Sequence, residues 1–295
     1  MAQFEGRPLP RPDEEVFDQG LGFDLDTLLS RRGLLRAVGA GALGLGLTAC
    51  GSSSSSSDDS VVETTTSAST STTEIPDETA GPYPGDGSNG PNVLAESGIV
   101  RSDITSSFGD ASGTAEGVPM TLTLTIKDLA NDGAAFAGVA VYVWHCTRSG
   151  EYSMYSTGIT DENYLRGVQI ADSAGQVKFT SIFPACYSGR WPHIHFEVYP
   201  DQASTTSASN AIATSQVAMP KSDCDTVYAT TGYEASVKNL AQVTLATDNV
   251  FSDDSGVSQL ATVTGSVSAG YAASLTAGVD TTTTPSGGGA PPSGR

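Results

Sequence analysis

The sequence predicts an all-β chain, an antiparallel β-sandwich with one or two short helices, and three observations predict it. Residues 120–126 read Met-Thr-Leu-Thr-Leu-Thr-Ile, the period of two that sends successive side chains to opposite faces of a strand. The same alternation, rich in Val, Tyr and Phe, returns at 139–144, 176–183 and 193–199, residue types that suit a pleated, half-buried surface. Short Gly-containing turns separate these runs, and little of the chain reads as helix, which is the pattern of packed sheets.

In chain order, 120–126 is the first strand and 139–144 the second. Asp172-Ser173-Ala174-Gly175 is a turn, with Asp and Gly as its natural residues, and it leads into the strand 176–183. The run 193–199 is the next strand. Residues 223–229 and 233–242 are the two short helices. Residues 260–267 and 271–279, joined through Ser268-Ala269-Gly270, predict a closing hairpin. No fixed-period repeat is present.

The first 49 residues are expected to be an export signal rather than part of the fold. Ser30-Arg31-Arg32-Gly33-Leu34-Leu35-Arg36 has the twin-arginine form, and an apolar run follows from Ala37 to Ala49, shorter than the roughly 20 residues a membrane span takes. It ends in Leu47-Thr48-Ala49-Cys50, which resembles a lipobox. Cleavage there would leave Cys50 as a lipid-bearing terminus, the chain's only expected membrane attachment, on the outer face of the bacterial cytoplasmic membrane or beyond it.

Residues 50–73 are dominated by Ser and Thr and cannot bury enough apolar surface to offset their ordering entropy, so they predict a flexible tether. Residues 281–295, with Gly287-Gly288-Gly289 and Pro291-Pro292, predict a disordered tail. One domain of ordinary size, 74–280, remains.

The chain carries 14 basic and 33 acidic residues, a net charge of −19. Of these, 5 basic and 7 acidic lie in residues 1–49, leaving 9 against 26, or −17, on the remainder. A polyanion would approach against that field, so nucleic acid is not an expected partner. Three cysteines fall within 74–280. An oxidising compartment permits a disulfide; Cys186–Cys224 is the expected pair and Cys146–Cys186 the alternative. A thiolate metal site is disfavoured because no Cys-x-x-Cys occurs.

The chemistry concentrates in Pro184-Ala185-Cys186-Tyr187-Ser188-Gly189-Arg190-Trp191-Pro192-His193-Ile194-His195-Phe196, which holds two of the chain's 3 histidines. On a strand, Ile194, Phe196 and Val198 take one face while His193, His195 and Glu197 take the other, so both imidazoles aim at one point. That is half of a metal site. Cupins also use His-x-His, but with a carboxylate and a further histidine downstream that this chain lacks. His145, upstream and next to Cys146, reads as a hydrogen-bonded structural imidazole.

Read together, Val143-Trp144-His145-Cys146, Gly150-Glu151-Tyr152-Ser153, Leu165-Arg166-Gly167-Val168-Gln169, and the run from Phe183 to Phe196 resemble the intradiol ring-cleavage dioxygenases. Thr79-Ala80-Gly81-Pro82-Tyr83 and Arg101-Ser102-Asp103-Ile104 resemble the start of that family's exported lipoprotein branch, so the likeness spans about residues 75–280. It implies a β-sandwich of immunoglobulin or prealbumin type. It implies Fe(3+) as cofactor, held by Tyr152, Tyr187, His193 and His195, and hard phenolate donors with imidazole suit the ferric ion. It further implies a small aromatic diol and O2 as reactants, cleavage between the two hydroxyl-bearing carbons, Tyr187 yielding its place to the substrate, and Arg190 steadying developing negative charge.

A salt bridge is the other reading of Arg190. The competing functions are a non-catalytic, lipid-anchored binding sandwich with a relic metal site, and a zinc hydrolase. Only Ser188 to Pro192 separate Tyr187 from His193, a shorter loop than in the cytosolic enzymes, and Ala185 stands where a glycine is usual. The identity of the catechol is therefore not implied.

Overall fold

Alternation becomes two sheets in the computed structural model, which describes residues 73–286 together with two-residue strands at Gln3–Phe4 and Arg7–Pro8 that pair with each other. The expected export signal, Cys50 and the tether otherwise lie outside the described residues. Of the expected tail, residues 281–286 are described, and Thr283 and Ser286 hydrogen-bond to Glu74 and Asp77.

The nine strands of the sandwich are β1 (Pro119–Asp128), β2 (Ala134–Ala135), β3 (Ala140–Trp144), β4 (Arg166–Ile170), β5 (Gln176–Ile182), β6 (His193–Tyr199), β7 (Ala213–Ala218), β8 (Thr262–Ser266) and β9 (Gly270–Val279). One sheet runs β8-β9-β1-β5, with β2 pairing the far end of β1. The other runs β4-β3-β6-β7. Pairing is antiparallel with one exception, the parallel pair β9 and β1. Alternation specifies a strand's faces and not its direction, and no short turn ties these two distant strands together.

Met120, Leu122, Leu124 and Ile126 of β1 face Val141 and Val143 of β3 and Ile194, Phe196 and Val198 of β6 across the sandwich interior. Burying each such aliphatic or aromatic side chain contributes roughly 1.5–3 kcal/mol. A second core lies on the outer face of the second sheet. There Tyr142, Trp144 and Val168 are covered by Ala80, Val93, Leu94 and Ile99 from the segment ahead of β1. His193 and His195 point to this outer face, so the covering segment closes over them.

Three strands escape the period-two reading, one of them the two-residue β2. All of β7 is buried, and it carries small and polar residues on both faces, Ala213, Ser215 and Val217 on one and Thr214, Gln216 and Ala218 on the other, so no apolar face alternates with a polar one. In β4, Arg166 is buried and donates to the carbonyls of Tyr83, Pro84 and Ser153 and to the hydroxyls of Tyr142 and Ser153. A cation that looks like a surface residue thus pins the covering segment to the sheet.

The α-helices among the described residues are α1 (Lys221–Tyr228) and α2 (Glu234–Leu240). They grip the loop ahead of β6. Tyr228 donates to the Pro184 carbonyl, Tyr233 to the Phe183 carbonyl, and Asn239 to the Cys186 carbonyl, while Ser236 Oγ accepts the Cys186 N–H. The expected disulfide is not formed: Cys146, Cys186 and Cys224 are all free and buried. The Cys186 thiol lies 3.4 Å from the Arg190 carbonyl and the Cys146 thiol 3.7 Å from the Ala185 carbonyl. These two thiols are spent on backbone acceptors of the loop, and burial pushes both up to about 12.

Candidate metal centre

The centre is assembled from β6 and two loops. Strand β6 supplies His193 and His195. The gripped loop 183–192 supplies Tyr187 and Arg190, and the loop after β3 supplies Tyr152. Gly150, at φ +92°, lets that last loop close on Tyr187: a Cβ there would stand 3.1 Å from the Tyr187 Cβ, and an L side chain rarely adopts that backbone.

The four expected ligands come together. Tyr187 Oη lies 3.3 Å from His193 Nε2, and His193 Nε2 lies 3.1 Å from His195 Nε2. The Tyr152 ring stands edge-on to Tyr187 at 5.9 Å and to His195 at 6.3 Å. His193 Nδ1 is 2.6 Å from the Trp191 carbonyl. A carbonyl only accepts, so Nδ1 carries the proton and Nε2 presents its lone pair to the centre. The His195 ring is stacked on Trp144 at 4.8 Å and 5°, which fixes its plane.

The donor set fits a hard cation. The buried Tyr152 hydroxyl has no hydrogen-bond partner among the described residues, although Tyr187 is near enough to bear on its ionisation. An orphaned buried hydroxyl costs free energy unless something binds it. Burial raises Tyr152 far above the ordinary phenol range and pushes Tyr187 up to about 12, with Arg190 pulling Tyr187 back. Burial likewise holds His193 and His195 well below the ordinary imidazole value, helped at His193 by Arg190 and at His195 by its histidine neighbour. The site thus offers neutral imidazoles and phenols whose ionised form awaits a positive charge. Two phenolates and two imidazoles match ferric iron better than zinc or magnesium.

Arg190 is at the site, and it is also a salt bridge. Its Nε donates to Asp248 Oδ2 at 3.0 Å and Nη2 donates to Gln216 Oε1 at 2.7 Å, while Nη1 lies 3.5 Å from His193 Nε2. His145 is outside the centre, its two nitrogens 2.8 Å from the Cys146 carbonyl and 2.7 Å from Ser181 Oγ.

Sequence reasoning missed the surroundings. Gly81, at φ +72°, passes so close to His195 that a Cβ would meet its Cε1 at 3.2 Å. Glu78, near Arg190, has its carboxyl pushed up to about 8 by burial and by Asp253. Glu197, on the histidine face of β6, is likewise raised to about 8 by burial and Asp86, and accepts the Tyr199 hydroxyl. For Gly81 a signal existed, the Thr-Ala-Gly-Pro-Tyr run; for Asp248 and Gln216 none did.

Comparison with known proteins bears on the segment that carries these residues and on the fold. Residues 89–195 match a family model described as Dioxygenase; Tyr152, Tyr187, His193 and His195 all lie inside that segment. An intradiol ring-cleavage dioxygenase from Tetranychus urticae superposes with a TM-score of 0.56 at 23% identity, covering 71% of this chain and 95% of that one. A second dioxygenase structure gives 0.56 at 21% identity with the same coverage. Chlorocatechol 1,2-dioxygenase from Rhodococcus opacus is 34% identical over 68 residues, 23% of this chain and 26% of its own length, so the match spans about a quarter of that relative.

Proposed function

We propose that the chain is a non-haem ferric dioxygenase of the intradiol type, a reading supported by the dioxygenase match over residues 89–195 and by the shared fold. In this reading it cleaves a catechol-type ring between the two hydroxyl-bearing carbons with O2 and gives a muconate-type product. The observation that carries it is the convergence of Tyr187 Oη, His193 Nε2 and His195 Nε2 within 3.3 Å steps beside the unpartnered Tyr152 hydroxyl.

Tyr152, Tyr187, His193 and His195 would hold the iron. Ferric iron, when bound, draws electron density from a chelated catechol and makes its ring carbon reactive toward O2. Tyr187, as the phenolate, would take a proton from the incoming diol and return to the neutral phenol that burial favours. Arg190 points Nη1 at the centre and steadies negative charge that develops on the ring, as a cation fixed in advance. The covering segment, held down by Arg166, limits water at the site.

Loading the full chain with ferric iron tests this reading. A broad visible tyrosinate-to-iron band that shifts on anaerobic addition of catechol supports it, and Tyr187→Phe should move the band without unfolding the sandwich. A chain that stays colourless after ferric loading, or that holds zinc, contradicts it. We further propose export by the twin-arginine route and attachment through lipid on Cys50, supported by Arg31-Arg32 and Leu47-Thr48-Ala49-Cys50. Mass spectrometry of the chain from its host would show residues 1–49 removed and Cys50 acylated; an intact Met1 end on the mature protein overturns that.

A further inference from the structure

Asp248 lies 58 residues beyond Arg190 and is fully buried. Both of its oxygens are engaged. Oδ2 accepts the Trp191 N–H at 2.7 Å and Arg190 Nε at 3.0 Å, while Oδ1 accepts the N–H groups of Val250 at 2.8 Å and Phe251 at 3.1 Å and reaches Arg190 Nη2 at 3.4 Å. The guanidinium has a second tether, because Nη2 donates to Gln216 Oε1, and Gln216 Nε2 in turn donates to the Thr79 carbonyl at 3.0 Å. Nε and Nη2 are thereby taken from outside the centre. Nη1 is the nitrogen left facing His193.

We propose that Asp248 is the positioning residue for Arg190. Its carboxylate, itself held by the turn at Val250 and Phe251, sets the plane of the guanidinium so that one edge is presented to the metal centre. This rests on the dioxygenase reading above. A planar cation whose other donors are committed loses no rotamer freedom as charge develops beside it, which is what makes electrostatic stabilisation effective. The same carboxylate joins the segment after α2 to the loop between Tyr187 and His193.

The rival is a structural role confined to the turn, and Asp248→Asn separates the two. Asparagine keeps an oxygen for the Val250 and Phe251 N–H groups and puts an NH2 where Arg190 Nε and Trp191 need an acceptor. In the iron-loaded full chain, D248N should lower kcat for catechol at least 10-fold and change KM less than 3-fold. In an Arg190→Met background it should lower kcat less than 2-fold further, because the partner it acts through is gone. In the metal-free protein, the Arg190 Nε–H resonance should exchange slowly, and D248N should speed that exchange at least 10-fold.

An equal loss of kcat in both backgrounds, or an unchanged Arg190 Nε–H exchange, overturns the proposal. Should D248N not fold, Asp248→Glu carries the same measurements, since it keeps the charge and displaces the carboxylate. If the loaded wild-type chain cleaves no catechol, the dioxygenase reading fails. The exchange measurement still decides whether Asp248 holds Arg190.

Discussion

Gly81→Ala isolates the contact between the covering segment and a metal ligand. Gly81 sits at φ +72°, and the added methyl would stand 3.2 Å from His195 Cε1 and 3.7 Å from Nε2. Two separate costs follow. An L residue in the left-handed region costs roughly 1–2 kcal/mol, partly offset by alanine's smaller unfolded-state entropy. The 3.2 Å approach then forces the imidazole to give by a few tenths of an ångström, and its stacking on Trp144 leaves it little freedom to do so. Gly158→Ala supplies the control: φ is +89° and no heavy atom lies within 4 Å, so it carries the backbone cost without the crowding. Urea melts of the metal-free chains should show Gly158→Ala destabilised by about 1 kcal/mol, or roughly 2–4 °C in Tm for a domain of this size, and Gly81→Ala by at least as much. Competition against a ferric chelator should show about 10–100-fold weaker iron binding for G81A alone, the usual scale for disturbing what orients a ligand. Equal iron affinity in both variants, or an equal loss in both, would refute the reasoning.

The other predictions concern the frame around the centre. Burial pulls His145 down to about 4, so between pH 6.5 and 4 the unfolded chain binds a proton that the folded chain refuses. Stability present above pH 6.5 is therefore lost as the pH falls, by up to about 3 kcal/mol, and the difference between wild type and His145→Gln in pH-dependent urea melts should shrink across that window; a constant difference contradicts it. Arg166→Lys replaces a five-bond fork with one ammonium and leaves buried carbonyls unpaired, for a loss of at least about 3 kcal/mol. Its accompanying sign is faster proteolysis within residues 82–99, and unchanged cleavage there contradicts the pinning role. Because Cys146, Cys186 and Cys224 are free, all three should be alkylated after unfolding without reductant. Recovery of any Cys–Cys crosslinked peptide among them would contradict the structure.

Legibility tracked how much of the physics is local. Strand 193–199 and both helices could be read because one face of β6 is apolar and the helices are short and bounded by Pro220 and Gly232. The four candidate ligands were legible through spacing and resemblance, and the structure brings them together. Strand β7 was not legible, because small and polar residues stand on both of its faces and leave no alternation to read. The direction of β9 was not legible either, since a period of two carries no sign. Asp248 and Gln216 act on Arg190 from 58 and 26 residues away, and nothing in their own neighbourhoods marks them. The expected disulfide failed for a related reason: cysteine spacing says which thiols exist, while side-chain direction decides what they meet.

The most direct test is the fate of oxygen. The ferric-loaded chain is given catechol under 18O2 and the product is weighed. The account predicts a muconate-type diacid with one 18O in each new carboxyl group, and loss of that product in Tyr187→Phe or His195→Ala. No ring-opened product, or one bearing an aldehyde from cleavage outside the diol, would contradict it.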